Sequence, residues 1–231
     1  MKVSKTCLVL ALAIGLGASA FGQSVQDSRD VQQDVLERQV AISRLEKITI
    51  GDAFREALSS ANAPGGIVLP GDCATEVEYK LDITSTSLRD VLDSIVLAAP
   101  SYRWQYKHGV VNLIGVRDVT ALLGLRIKNF EVKNAKTLSG AYNELMNLSE
   151  VRQRLAEVNI TQVRQEIGLT DLRRSGSGVD DSQQGLSVSC SNVRFREALN
   201  AIVRANGRGV WAYSERHCNG RDDIGINFIA Q

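Results

Sequence analysis

Histidine is nearly missing from this sequence: 231 residues hold two, His108 and His217. A Ser-His-Asp or Cys-His catalytic grouping would have to use one of them, and both fall in segments that read as hairpin turns. The familiar catalytic signatures are also lacking. No G-x-S-x-G elbow, C-x-x-C, H-E-x-x-H, G-x-x-x-x-G-K-[ST] or G-x-G-x-x-G occurs. His217-Cys218 with Asp222 and Asp223 fits no usual zinc spacing, and adjacent ligands on an extended chain point apart, so a solvated turn is the reading. The pair Asp180-Asp181 sits in a polar stretch without the burial that tunes a catalytic carboxyl. These shortages argue against an enzyme and imply no cofactor and no metal. Asn147-Leu148-Ser149 and Asn159-Ile160-Thr161 match the N-glycosylation triplet, which matters only in a eukaryotic secretory pathway.

Long apolar runs are missing as well. The longest, Cys7–Gly17, covers about 11 residues, where a membrane span needs roughly 20. Lys2 and Lys5 precede it, and Ala18-Ser19-Ala20 follows with small residues at the two positions a signal peptidase reads. Basic start, apolar centre and A-x-A exit predict a cleaved signal over residues 1–20, with a second possible cut after Gln23. The expected location is periplasmic or secreted, with no membrane span in the mature chain. Removing Lys2 and Lys5 leaves 25 basic against 26 acidic residues, a balance of −1. That is no electrostatic footprint for nucleic acid or for a membrane surface. Three cysteines then remain, Cys73, Cys190 and Cys218, too few to build a disulfide-held miniprotein.

What the sequence does hold is a repeat. Residues 81–106 align without a gap on residues 188–213, at a constant offset of 107. Identical columns include Arg89/Arg196, Leu92/Leu199, Ile95/Ile202, Trp104/Trp211 and Tyr106/Tyr213. The two tryptophans of the chain share one column. Leu81 and Ile83 alternate with polar residues as a half-buried strand does. Leu88, Val91, Leu92, Ile95 and Val96 recur at spacings of three and four, one apolar helical face, with Ser85 and Ser87 as N-cap candidates. Tyr102, Trp104 and Tyr106 form a second strand, Lys107-His108-Gly109 a turn, and Val110–Gly115 a third strand. In the second copy the hairpin connection is longer, about Glu215 to Asp223, before Ile224–Ile229. The unit is β-α-β-β. Fainter half-copies precede each unit: Ile50, Ala53, Phe54 and Leu58 with the strand Ile67–Leu69, and Leu138, Ala141, Tyr142, Leu145 and Met146 after the strand-like Leu125–Val132.

The predicted architecture is α+β: two small domains of repeated β-α-β-β units with helices packed on small sheets. The first covers 40–117 and the second 125–231, with 118–124 as a linker. Residues 21–39 read as a polar arm, 148–172 as a helical insertion capped by Ser149, and 174–184 as a disordered loop. Cys190 ends the strand before a helix and Cys218 follows the strand after it. In a right-handed β-α-β unit those strands run parallel, which makes Cys190 and Cys218 the disulfide candidates. The competing reading makes Cys190 a reduced core residue in the column of Ile83. The aromatic stripes Tyr102/Trp104/Tyr106 and Trp211/Tyr213 could be a stacking platform, but repetition at one topological place favours strand faces buried under a helix.

The series Ile48–Leu58 with Ile67–Leu69, then Leu81–Val96 with Tyr102–Ile114, resembles the short N-terminal domain of secretins and TonB-dependent receptors. The second half resembles it over Val188–Tyr213. The resemblance implies a periplasmic, non-catalytic domain that docks on envelope partner proteins. No β-barrel sequence follows before Gln231, so it implies the adaptor module alone. The expected function is an exported protein-interaction module of the cell envelope, with another envelope protein as partner and no nucleic acid. The alternative is a small-ligand or glycan binder using an aromatic strand face.

Overall fold

The computed structural model describes residues 35–41, 44–69, 77–82, 87–116, 120–158, 160, 162–164, 185–218 and 221–229. The signal at 1–20, the loop at 174–184 and Cys73 lie outside the described residues. No helix among the described residues is long and apolar enough to cross a membrane.

In the first half, strand β1 (Arg44–Thr49) leads straight into helix α1 (Ile50–Ser60). Ile50, Ala53, Phe54, Ala57 and Leu58 are all buried, the single stripe their spacing predicts. The Thr49 hydroxyl caps the helix by accepting from the Asp52 N–H at 3.1 Å. Strands β2 (Gly65–Leu69) and β3 (Glu78–Asp82) precede helix α2 (Leu88–Ala98). Ser87 caps α2 through the Asp90 N–H at 3.2 Å; Ser85 lies outside the described residues. Strands β4 (Tyr102–Lys107) and β5 (Val110–Gly115) form a hairpin. Its two turn residues, His108 at φ 52° and Gly109 at φ 80°, are both left-handed, as a two-residue hairpin turn of matching twist requires.

The second half repeats this order. Strand β6 (Arg126–Ala135) precedes helix α3 (Leu138–Met146), capped by Thr137 through the Gly140 N–H at 3.0 Å. Helix α4 (Ser149–Glu157) and the short strand β7 (Gln162–Arg164) follow. Then come β8 (Leu186–Arg194), helix α5 (Phe195–Ala205), β9 (Val210–Cys218) and β10 (Arg221–Ile229). The chain is of the α+β class, as the sequence predicts.

The offset of 107 carries the bounds of α2 onto those of α5, and Leu88/Phe195, Leu92/Leu199 and Ile95/Ile202 are fully buried in both copies. One column without identity keeps its chemistry. The Trp104 indole donates to Asp93 Oδ1 at 2.7 Å, and the Trp211 indole donates to Asn200 Oδ1, in the column of Asp93, at 2.8 Å. β1 and β6 each hold a left-handed residue inside a register break ahead of the helix, Lys47 at φ 52° and Asn134 at φ 56°.

Strand pairing repeats too. β1 pairs antiparallel with β3, and β6 with β8, as separate two-stranded sheets. The remaining strands form one six-stranded sheet in the order β4-β5-β2-β9-β10-β7. Each copy supplies an antiparallel hairpin, β4-β5 or β9-β10, with a parallel third strand beside it, β2 or β7. The copies join where β2 runs parallel to β9. β5 and β2 are parallel while β10 is antiparallel to β9, so each strand of the second copy runs opposite to its counterpart. Turning a copy end for end also exchanges its faces. Accordingly Ile67, Val111, Leu113, Val210 and Ala212 pack with α1 and α2, whereas Val68, Val110, Ile114, Trp211 and Tyr213 pack with α3 and α5. The sheet is the middle of three layers.

Several expectations need correcting. The bounds 40–117 and 125–231 follow the two copies, yet the copies share one sheet. Strands on either side of a helix do not pair side by side: β8 belongs to a different sheet from β9. The described part of the linker, 120–124, is packed. Leu122 and Leu123 are buried, and the Leu125 and Leu123 carbonyls accept from the Phe195 and Arg196 N–H groups at 2.7 and 3.3 Å. They serve the start of α5, whose N-cap position holds Arg194 and offers no hydroxyl. The end of the polar arm is anchored: Val35 and Leu36 are buried, as is Val40 just after it, and Arg38 Nη1 donates to the Ala61 and Asn62 carbonyls. Ser149 is the first residue of α4 and not its cap, and the segment beyond α4 includes a strand. Glu215–Cys218 and Arg221–Asp223 are ladder, with Asp222 opposite His217, so the hairpin is longer in its strands and not in its loop.

Candidate functional site

The junction of the copies defines the site. Gly65 and Gly66 of β2 sit opposite Val210 and Trp211 of β9. A Cβ on Gly66 would lie 2.0 Å from the Trp211 ring, and one on Gly65 would lie 2.1 Å from Leu58 Cδ1. Two glycines are therefore required where β2 slides between α1 and the Trp211 indole. The result is a Trp211 ring with 0% exposure.

The counterpart of β9 in the first copy is β4, and it forms an outer edge of the sheet. Trp104 keeps its helix hydrogen bond but has no described strand alongside, and it is half-buried. Tyr106 is likewise half-buried, while Tyr102 is buried under α2. On the other face of β4 stand Arg103, Gln105 and Lys107, the columns of Val210, Ala212 and Ser214. Helix α5 closes over this side. Lys107 Nζ pairs with Glu197 Oε1 at 3.0 Å, and Arg204 Nη1 donates to the His108 carbonyl at 3.0 Å. Burial pulls the Arg196 guanidinium below its usual value, and the positive charges of Arg194 and Arg103 pull it further, against the pull of Glu197. The edge is thus apolar and aromatic on one face and cationic on the other.

At the other end of the junction, buried Glu215 accepts from the Tyr213 hydroxyl and from the Ala121 and Leu122 N–H groups, the last two at 2.7 and 3.3 Å. It ties the turn after the first copy to the second. Burial, with Glu215 beside it, pushes the Tyr213 phenol well up, and burial alone does so for Tyr142. These phenols stay protonated structural groups.

Of the residues singled out from sequence, the two histidines stand on different elements. His108 lies in the β4-β5 turn, whereas His217 lies in strand β9. Among the described residues no three His, Cys, Asp or Glu side chains converge as a metal set. Cys190 is a free thiol, half-buried against the second core, and burial pushes its pKa up. Its strand pairs with β6, placing it opposite Phe130. The parallel-strand argument that brought Cys190 beside Cys218 therefore fails; the Cys218 side chain lies outside the described residues. Trp211 and Tyr213 are enclosed in the core, so that stripe offers no platform. Sequence reasoning passed over Gly65-Gly66. The available signal was a glycine pair opening an apolar strand, which marks close backbone approach.

Comparison of the chain with protein family models, curated proteins and solved structures gave no match.

Proposed function

We propose that this chain is an exported, non-enzymatic protein-interaction module of the cell envelope. It would carry two tandem copies of a domain similar to the short N-terminal domain of secretins and TonB-dependent receptors. One observation carries the reading. Edge β9 is covered by β2 with its tryptophan enclosed, while the equivalent edge β4 lies outermost among the described strands with Trp104 half-exposed. An outermost strand with aromatic residues on one face suits recognition by strand addition. The signal-like residues 1–20 and the near-neutral charge fit export better than binding to nucleic acid. A glycan platform would have to rest on Trp104 and Tyr106 alone, and nothing further favours it.

The test is a photo-crosslinking residue at Gln105, in the middle of β4, with Glu144 on α3 as the control position, in cells that export the chain. The reading expects one envelope protein joined at 105 and not at 144. Equal crosslinking at both positions, or none at either, contradicts it.

A further inference from the structure

We infer that the β4 edge recognises an extended partner segment running parallel to β4 with the pattern acidic–glycine–polar–aliphatic–acidic. This deepens the interaction-module reading and rests on it.

The internal junction supplies the template. Along β9, residues Val210, Trp211, Ala212, Tyr213 and Ser214 face Gly65, Gly66, Ile67, Val68 and Leu69 of a parallel strand. The offset of 107 carries that row of β9 onto Arg103, Trp104, Gln105, Tyr106 and Lys107 of β4. Two of the five positions keep their chemistry. Trp104 repeats Trp211, down to the hydrogen bond that fixes the indole on the preceding helix. A strand entering beside it meets the ring that Gly66 meets, where a Cβ would lie 2.0 Å from ring carbon. The second position of the segment is therefore glycine. Tyr106 repeats Tyr213, which faces Val68, so the fourth position is aliphatic.

The other three positions differ, and the difference sets the class of partner. In the second copy they are Val210, Ala212 and Ser214, buried, and the strand opposite offers Gly65, Ile67 and Leu69. In the first copy they are Arg103, Gln105 and Lys107, with Arg196 near Arg103. A strand with the apolar residues of β2 would leave the Arg103 cation desolvated and unmatched. Carboxylates at the first and fifth positions meet Arg103 and Lys107 instead. Lys107 already holds Glu197, so the first position contributes more to selection than the fifth.

The probe is a synthetic heptapeptide, Thr-Asp-Gly-Thr-Val-Asp-Thr, titrated into the full chain and followed by tryptophan emission. The expected result is saturable binding with a blue shift that is absent in Trp104→Phe. Replacing the peptide glycine by valine should weaken binding about ten-fold or more, as an overpacked site does. Replacing the first aspartate by lysine, or making Arg103→Glu in the protein, should do the same, and pairing the lysine peptide with Arg103→Glu should restore binding. A photoreactive group on the peptide N-terminus should mark the Tyr102 end of β4. No binding, equal binding of the valine peptide, failure of the charge-swap rescue, or marking at the Lys107 end each overturns the inference. Should the Gln105 crosslink capture a partner while the peptides fail, the module reading stands and this pattern falls; should the crosslink also fail, both fall.

Discussion

The two copies solve the same packing problem with different outcomes at one tryptophan. In the second copy Trp211 is roofed by its helix and flanked by β2, and it is fully enclosed. In the first copy Trp104 has the helix and no described strand beside it. Helix position and indole hydrogen bond are the same in both copies, so the helix layer holds the ring in place without a strand like β2 beside it. The neighbour adds burial, and it demands glycine in return. Among the described strands, joining the copies covers the edge of β9 with β2 and leaves β4 outermost.

That comparison can be broken in graded steps. Leu92 and Leu199 occupy one column and are fully buried. Either change to Ala should cost about 2–5 kcal/mol. Because the copies share a sheet, urea unfolding of both variants should stay a single transition; two separated transitions would mean the copies are independent bodies. Gly66→Val should cost about 1–3 kcal/mol or more through overpacking against Trp211, whereas Gly124→Ala, with nothing near its added Cβ, should be close to neutral. Equal effects at the two glycines would disprove the tight junction.

Smaller effects separate the tryptophans themselves. Asn200→Ala leaves the Trp211 N–H unsatisfied in the interior and should cost about 1–3 kcal/mol. Asp93→Ala exposes the Trp104 N–H to water and should cost under about 1 kcal/mol. Reversal of that order in thermal or urea unfolding would contradict the burial difference. The smallest effect concerns Glu197. The Arg194 N–H, then Lys107, hold its carboxyl below the usual range. A depressed carboxyl stabilises the fold above its unfolded value of about 4.3, and the contribution is lost as pH falls through the lower folded value. Glu197→Gln should therefore lower Tm slightly near pH 7 and converge with the parent chain near pH 3. An unchanged gap at pH 3 would refute the linkage.

Helices were legible in the sequence because their signal is local. Ile50-Ala53-Phe54-Leu58 and Leu88-Val91-Leu92-Ile95 each specify a buried stripe within one segment, and Ser87 marks the start of α2. The repeat was legible because burial demands the same residue sizes in both copies. Strand partners were not, because pairing is decided between distant segments. Gln162-Val163-Arg164 is too short for its alternation to identify a strand, and it is one because β10 runs beside it. The polar run after Ser214 reads as a turn, yet its backbone groups are used by the opposing ladder to Arg221. The candidate edge was visible only as an aromatic stripe. Its meaning comes from β9, which has β2 beside it, while no described strand lies outside β4.

The central claim is that β4 is the open equivalent of covered β9, and acrylamide quenching of the two tryptophans tests it most directly. The account predicts two populations in the parent chain, one shielded and blue-shifted, one accessible, with the accessible one lost in Trp104→Phe. If both indoles resist quenching in the parent chain, or if Trp104→Phe removes the shielded population, the edge is not open and the account is contradicted.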